Sequence, residues 1–176
     1  PPAVGRIKDD AETLIWPAEL GDGRRAIVKL YRRRGALAFL RGRLSRFRVQ
    51  REYAALARLS ACGVPCSEPL AWAYGRSAEH GRYELLATLE IPAAASVMEL
   101  VRDGKERQLD LGPLFRSVRR MHEGGVFHGA LKLHNVLGAR ARGGELGYHV
   151  IDMPRALLYR GSIVGTPMGD FDLLRL

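Results

Sequence analysis

Three polar residues in the C-terminal half combine a ring nitrogen with two oxygen ligands at a short spacing. His128 and Asn135 stand at the two ends of the loop His128-Gly129-Ala130-Leu131-Lys132-Leu133-His134-Asn135, which is set between apolar runs, and Asp152 follows it after a hairpin pattern. That hairpin returns the chain to its starting point, so Asn135 and Asp152 are expected to converge. Both offer hard oxygen ligands, and so small a set suits Mg2+ completed by phosphate and water. The N-terminal half adds two charges in apolar settings. Lys29 lies inside the strand-like run Ala26-Ile27-Val28-Lys29, and Glu52 shares a helical stripe with Leu56 and Leu59 at i, i+4 and i+7. A carboxylate on an apolar stripe needs a partner. Lys29 is the natural one.

The elements that must position these residues are legible in order. Residues 13–19 and 25–31 are β-prone and joined by Leu20-Gly21-Asp22-Gly23-Arg24, where Asp-Gly supplies the positive φ of a hairpin. Residues 8–12 read as an acidic, glycine-free turn. A helix over 49–59 stops at Gly63 with Pro65 just beyond. Residues 69–74 and 83–91 are further strands, which predicts an antiparallel sheet with one helix, five-stranded if an upstream segment supplies the first strand. Pro92 to Ala95 reads as a linker, and Ser96-Val97-Met98-Glu99 as a capping box opening a short helix. A helix over 113–123 carries Leu114, Phe115, Val118, Met121 and His122 at a 3.6-residue period and ends at Gly124-Gly125. Residues 135–139 and 146–152 form the hairpin around Gly143-Gly144.

The chain of 176 residues carries a net charge of +9 with a pI near 10.1. This favours anionic partners: nucleic acid, a phosphorylated glycolipid or an acidic membrane surface. The excess concentrates in residues 31–51, where Arg32, Arg33, Arg34, Arg41, Arg43, Arg46, Arg48 and Arg51 surround Leu37, Phe39, Leu40, Leu44 and Phe47. Such an amphipathic basic segment suits a lipid surface ahead of RNA, because no RNP-type or zinc-knuckle motif accompanies it. Cys62 and Cys66 have neither the number nor the spacing for a disulfide framework or a zinc site. Without a signal peptide or a run of ~18 apolar residues, the expected location is the cytoplasm, with a peripheral position at the inner membrane compatible with the charge. The ends, Pro1-Pro2 and the apolar-periodic residues 170–176, suggest a fragment trimmed at both termini.

The frame His128, Asn135, Asp152 resembles the protein-kinase pattern H-R-D-x-x-x-x-N followed by D-F-G, with Ala130 where the first Asp stands and Met153-Pro154 in place of Phe-Gly. Ala26-Ile27-Val28-Lys29 resembles the V-A-I-K of the third kinase strand. More specifically, the chain resembles the bacterial lipopolysaccharide kinases of the Kdo and heptose kinase type, whose signature is similar to H-x-x-G-[IV]-x-H-[GR]-D-L-x-x-H-N and then I-D-x-x-R. It supplies His122, Gly125, Val126, His128, Gly129, Leu131, His134, Asn135, Ile151, Asp152 and Arg155. Upstream, residues 31–35 and the stretch from 51–53 to 63–65 also look like the family.

The resemblance implies an α+β, two-lobed protein-kinase-like fold. The N-terminal lobe would be 1–91, an antiparallel sheet with one helix. The hinge would be 92–95, and a shortened, mainly helical C-terminal lobe would be 96–176. It implies ATP and Mg2+ as cofactors, with Lys29 on the phosphates, Glu52 positioning Lys29, backbone groups of Glu90 and Ile91 at the adenine, and Asn135 and Asp152 on the metal. His128 would support the catalytic loop and His134 stabilise it. The implied acceptor is a hydroxyl of the lipopolysaccharide core or another sugar. Since Ala130 replaces the residue that orients that hydroxyl, two outcomes stay open, a weak sugar kinase and a pseudokinase that binds nucleotide or a partner. A small-molecule kinase of the aminoglycoside type and a basic membrane- or RNA-binding module stand beside them.

Overall fold

Strand alternation and one well-placed aspartate build the N-terminal sheet. The computed structural model describes residues 7–33, 48–105, 109–140 and 145–176. These form two compact units, Pro1–Tyr53 with Glu68–Glu90, and Ala54–Ser67 with Ile91–Leu176. In the first, β1 (Lys8–Asp9), β2 (Thr13–Glu19), β3 (Arg25–Arg33), β4 (Pro69–Ser77) and β5 (Gly81–Leu89) make an antiparallel sheet in the order β1-β2-β3-β5-β4. The first strand comes from a stretch whose sequence reads as a turn. Lys8 and Asp9 pair with Ile15 and Leu14, and the turn itself is confined to residues 10–12. There the Asp10 carboxylate accepts the N–H groups of Glu12 (2.9 Å) and Thr13 (2.7 Å), a local bond that aspartate makes readily. The Lys8 ammonium first, and then these two N–H groups, hold the Asp10 carboxyl down at about 2.

β3 is central and buried on both faces. Ala26, Val28 and Leu30 line one, and Lys29 and Tyr31 the other, across from Leu86 and Glu84 of β5. The first turn of α1 (Arg48–Ala61) meets this second face. The Arg48 guanidinium stacks over the Tyr31 ring at 4.1 Å, and the Val49 N–H donates to Glu84 Oε2 at 3.1 Å, so a buried carboxylate satisfies the amino end of the helix. Along α1, Val49, Glu52, Leu56 and Leu59 are all buried, the stripe that the spacing predicts.

The second unit contains β6 (Ala95–Ser96), α2 (Val97–Arg102), α3 (Gly112–Glu123), β7 (Val126–Phe127), a 3-10 turn (Leu133–Asn135), β8 (Val136–Arg140), β9 (Leu146–Val150), β10 (Leu157–Leu158) and α4 (Pro167–Arg175). Strands β6, β8 and β9 form one antiparallel sheet, and β7 pairs with β10. Ser96 and Glu99 form the expected reciprocal capping box on α2. The linker read over 92–95 ends inside β6, because Ala95 pairs with Gly138. Leu114, Val118 and Met121 of α3 join Leu131, Val136, Val150 and Met153 in the core, whereas Phe115 is exposed. One residue along a helix turns a side chain by about 100°, so Phe115 leaves the face that Leu114 occupies. Both cysteines are free thiols. Most of the basic segment, residues 34–47, and the Gly143-Gly144 turn lie outside the described residues. No helix among the described residues is long and apolar enough to cross a membrane.

Candidate functional site

Lys29 and Glu52 meet within the first unit. The Lys29 ammonium lies 3.5 Å from Oε1 of the fully buried Glu52, and the Lys29 side chain keeps 13% of its exposure. β3 directs Lys29 onto the face that α1 covers, and the helical stripe directs Glu52 inward. A buried carboxylate is thus held by a cation whose other side reaches solvent. Glu90 closes the same sheet: its N–H donates to Arg25 O at 2.9 Å and its carboxylate pairs with Arg25 at 3.2 Å. The Glu90 N–H is therefore spent within the protein. Ile91 is half-buried and belongs to the second unit.

The second unit fixes its loop from three directions. Gly129 has φ +73°, and a Cβ there would lie 2.7 Å from Arg155 O, so only glycine fits this turn. Asp172 of α4, fully buried, accepts the backbone N–H groups of His128 (2.8 Å) and Gly129 (3.0 Å) and lies 3.3 Å from His122 Nε2. The His128 ring is also fully buried. Its Nε2 donates to Ile151 O at 3.1 Å while Nδ1 accepts the Ala130 N–H at 3.3 Å, which sets one neutral tautomer. Burial pushes the His128 pKa down, against the opposing pull of the Asp172 and Asp152 carboxylates. His128 thus works as a strut between the loop and the strand end that leads to Asp152, and not as a proton carrier open to solvent.

Asn135 and Asp152 come together as the hairpin pattern predicts. Val136 pairs with Val150, and one step further out the Ile151 N–H donates to Asn135 O at 3.0 Å, which puts Asp152 immediately beyond. The Asn135 side chain donates Nδ2 to Ala130 O at 2.8 Å. Its Oδ1 takes no part in that bond. Asp152 adopts φ +57°, a left-handed conformation uncommon outside glycine and strained by about 1 kcal/mol or more. No group of three or more His, Cys, Asp or Glu able to hold a metal occurs among the described residues. Two oxygen donors and no imidazole or thiolate suit Mg2+ carried in with phosphates, not a transition metal caged by the protein. Ala130 sits between these groups with its backbone fixed on both sides: its N–H donates to His128 and its carbonyl accepts from Asn135. His134 is exposed.

Asp172 and its contact with His122 are the functional geometry that sequence reasoning passes over. Residues 170–176 are legible as helical, but Asp170 and Asp172 look alike there; only the packed helix shows that Asp170 is exposed and Asp172 buried. The available signal is weak: Asp172 stands between Phe171 and Leu173, one apolar residue on either side.

A five-stranded antiparallel sheet whose Lys pairs with a Glu of the one helix between its strands, followed by a helix, an anchored loop and a hairpin ending in Asp, defines a protein-kinase-like α+β fold. The sequence matches the model of the lipopolysaccharide kinase (Kdo/WaaP) family over residues 10–160, and the chain belongs to that family. No curated protein matches it by sequence. Among solved structures it is similar to WaaP in complex with acyl carrier protein, with TM-score 0.67 and 21% identity over 98% of this chain and 68% of that one. It is also similar to the Rio2 kinase of Chaetomium thermophilum. The ADP/Mg2+-phosphoaspartate complex of that kinase gives TM-score 0.61 and 19% identity over 97% of this chain and 52% of that one. A second Rio2 structure gives TM-score 0.60 and 18% identity over 97% and 54%. The chain spans about half the length of the Rio2 structures.

Proposed function

We propose that this chain is an ATP- and Mg2+-dependent phosphotransferase acting on a sugar hydroxyl of the lipopolysaccharide core, slowed by Ala130. The observation that carries the reading is the Ile151 N–H bond to Asn135 O at the end of one hairpin, which sets Asp152 next to Asn135, whose Nδ2 is turned to Ala130 O. When bound, Mg2+-ATP supplies the γ-phosphoryl group and neutralises its charge. On this reading Lys29, oriented by Glu52, takes the nucleotide phosphates, Ile91 and the Glu90 carbonyl offer backbone groups to the base, and Asn135 and Asp152 take Mg2+. His128 keeps the loop in place. Positioning and electrostatics carry most of phosphoryl transfer, so these groups sustain turnover without the carboxylate missing at Ala130. The Rio2 complex with ADP and Mg2+ supports the cofactors, since the two chains share a fold.

The second reading, a pseudokinase that binds nucleotide without transfer, is favoured by Ala130 itself. The WaaP structure contains an acyl carrier protein, which makes an acyl carrier protein a candidate partner here. A cytoplasmic location at the inner membrane, with residues 32–51 against anionic lipid, suits the basic composition. A thermal shift with ATP, with and without Mg2+, tests the site. The parent chain should gain stability from ATP only with Mg2+ present, and Asp152→Ala should lose that gain while still folding. Mg2+-dependent stabilisation that survives Asp152→Ala would refute the assignment.

A further inference from the structure

Leu157, Leu158 and Tyr159 are three consecutive large residues left open to solvent, at 43%, 45% and 38% exposure. Leu157 and Leu158 form β10, which among the described residues pairs with β7 along one edge. Consecutive strand residues point to opposite faces, so a strand lying on a core hides one of two neighbours. Here neither leucine is hidden. A cavity of about 370 Å3 opens beside them, lined by Leu158, Tyr159, Arg58 and Arg160. The strip is firmly held from beneath: Arg58 Nε donates to Gly124 O at 3.2 Å, and the Tyr159 N–H donates to Gly125 O at 2.8 Å. A Cβ on Gly125 would lie 2.6 Å from Tyr159 O, so the two segments are in backbone contact. Along its own stretch of chain the charge has one sign. Between Asp152 and Asp170 there is no carboxylate, while Arg155 and Arg160 flank the apolar triplet.

We propose that this strip is a membrane-docking element, which immerses Leu157, Leu158 and Tyr159 in the interface of an anionic bilayer while Arg58 and Arg160 take lipid phosphates. A rigid protein partner would press on one face of β10 and leave the other leucine wet. A fluid headgroup and acyl layer surrounds the strip and covers both. Tyrosine suits the depth at which a ring is buried and its hydroxyl is hydrated, and arginine beside it suits phosphate. None of these residues belongs to the basic segment 32–51 of the sequence, and the docking needs no nucleotide, so its failure leaves the phosphotransfer reading standing.

The experiment is co-sedimentation of the whole chain with vesicles of phosphatidylglycerol and phosphatidylethanolamine, against vesicles of phosphatidylcholine alone. The parent should bind the anionic vesicles and release them with salt. Leu157→Ser/Leu158→Ser should weaken that binding by roughly tenfold with the salt dependence kept, as expected for lost apolar burial. Arg160→Gln should weaken it about fivefold and flatten the salt dependence. A second readout needs no loss of binding: Tyr159→Trp should add fluorescence that lipids brominated in the upper acyl chain quench, above the signal of Trp16 and Trp72. Three results would overturn the proposal: no binding of the parent to anionic vesicles, a double-serine variant that binds like the parent while Arg41→Ala/Arg43→Ala does not, or a Tyr159→Trp variant whose added fluorescence stays unquenched on bound vesicles. Loss of binding to an acidic amphipathic peptide in the double-serine variant, with vesicle binding intact, would assign the strip to a protein partner instead.

Discussion

The carboxylate of Asp172 accepts the backbone N–H of His128 at 2.8 Å, across 44 residues of chain, and that of the next residue, Gly129, at 3.0 Å. Two buried amides at the start of the loop therefore depend on one side chain from α4. Asp172→Ala leaves both donors without their acceptor, at about 1–3 kcal/mol each. Urea denaturation should show a loss of about 2–6 kcal/mol, and hydrogen exchange should quicken at the Gly129 amide ahead of the β8–β9 ladder. Asp172→Asn should recover part of this, since one oxygen still accepts while the new NH2 opposes the other donor. Unchanged exchange at Gly129 in Asp172→Ala would mean that the loop is held by something else.

His128 makes stability depend on pH with a definite sign. Its ordinary value is 6.5, and burial lowers it in the folded protein. Between the lowered value and 6.5 the unfolded chain binds more protons than the folded one, so stability falls as the medium is acidified through that window. Above 6.5 the contribution is complete. Half-buried His149 is pushed down by burial in the same way, so the parent curve alone mixes two groups. The difference between the parent and His128→Gln isolates His128: the gap in urea midpoint should be widest at neutral pH and shrink on acidification. A gap independent of pH would show that the ring is not held neutral.

The Lys29–Glu52 pair should behave as a buried ion pair and not as a surface one. Lys29→Met removes the cation from a fully buried carboxylate, and breaking such a pair costs about 3 kcal/mol, the low end of the usual range because Lys29 keeps some exposure. Lys29→Met/Glu52→Gln should regain most of that stability, because the charge left behind has gone too. ATP-dependent stabilisation should be lost in both variants. Equal stability of Lys29→Met and the parent would show that the Glu52 carboxylate does not rely on Lys29.

What is legible in the sequence follows from what residue patterns encode. Lys29 and Glu52 stand out because each is a charge on an apolar face, and a strand of period two and a helix of period 3.6 fix which face that is. Asn135 and Asp152 stand out because a hairpin returns to its start. The role of Asp172 does not, since its partners are backbone amides that leave no mark on residue type. The strand Lys8–Asp9 escapes for a related reason: three acids in five residues read as a turn, and only pairing with Leu14 and Ile15 makes two of those five a strand. Periodicity places Phe115 in the core although it is exposed, because a window of apolar positions does not fix where the stripe ends.

Ala130→Asp should raise phosphotransfer to a lipopolysaccharide core acceptor. The backbone of Ala130 is already held, its N–H on His128 Nδ1 and its carbonyl by Asn135 Nδ2, so a new side chain would inherit a fixed direction. The residue is partly exposed, and a carboxylate there meets no burial penalty of the size that Glu52 faces. The fold should barely respond, within about 0.5 kcal/mol, as for most substitutions outside a packed core. A positioned general base contributes roughly 10²–10⁴ in rate, and that is the gain expected in kcat at saturating ATP and Mg2+. KM for ATP should hardly move, since Lys29, Asn135 and Asp152 are untouched. Nucleotide binding in both variants with no gain in transfer would leave the pseudokinase reading in place, and a matching rise in KM for ATP would mean that the new carboxylate disturbs the proposed metal ligands Asn135 and Asp152 and does not serve the acceptor.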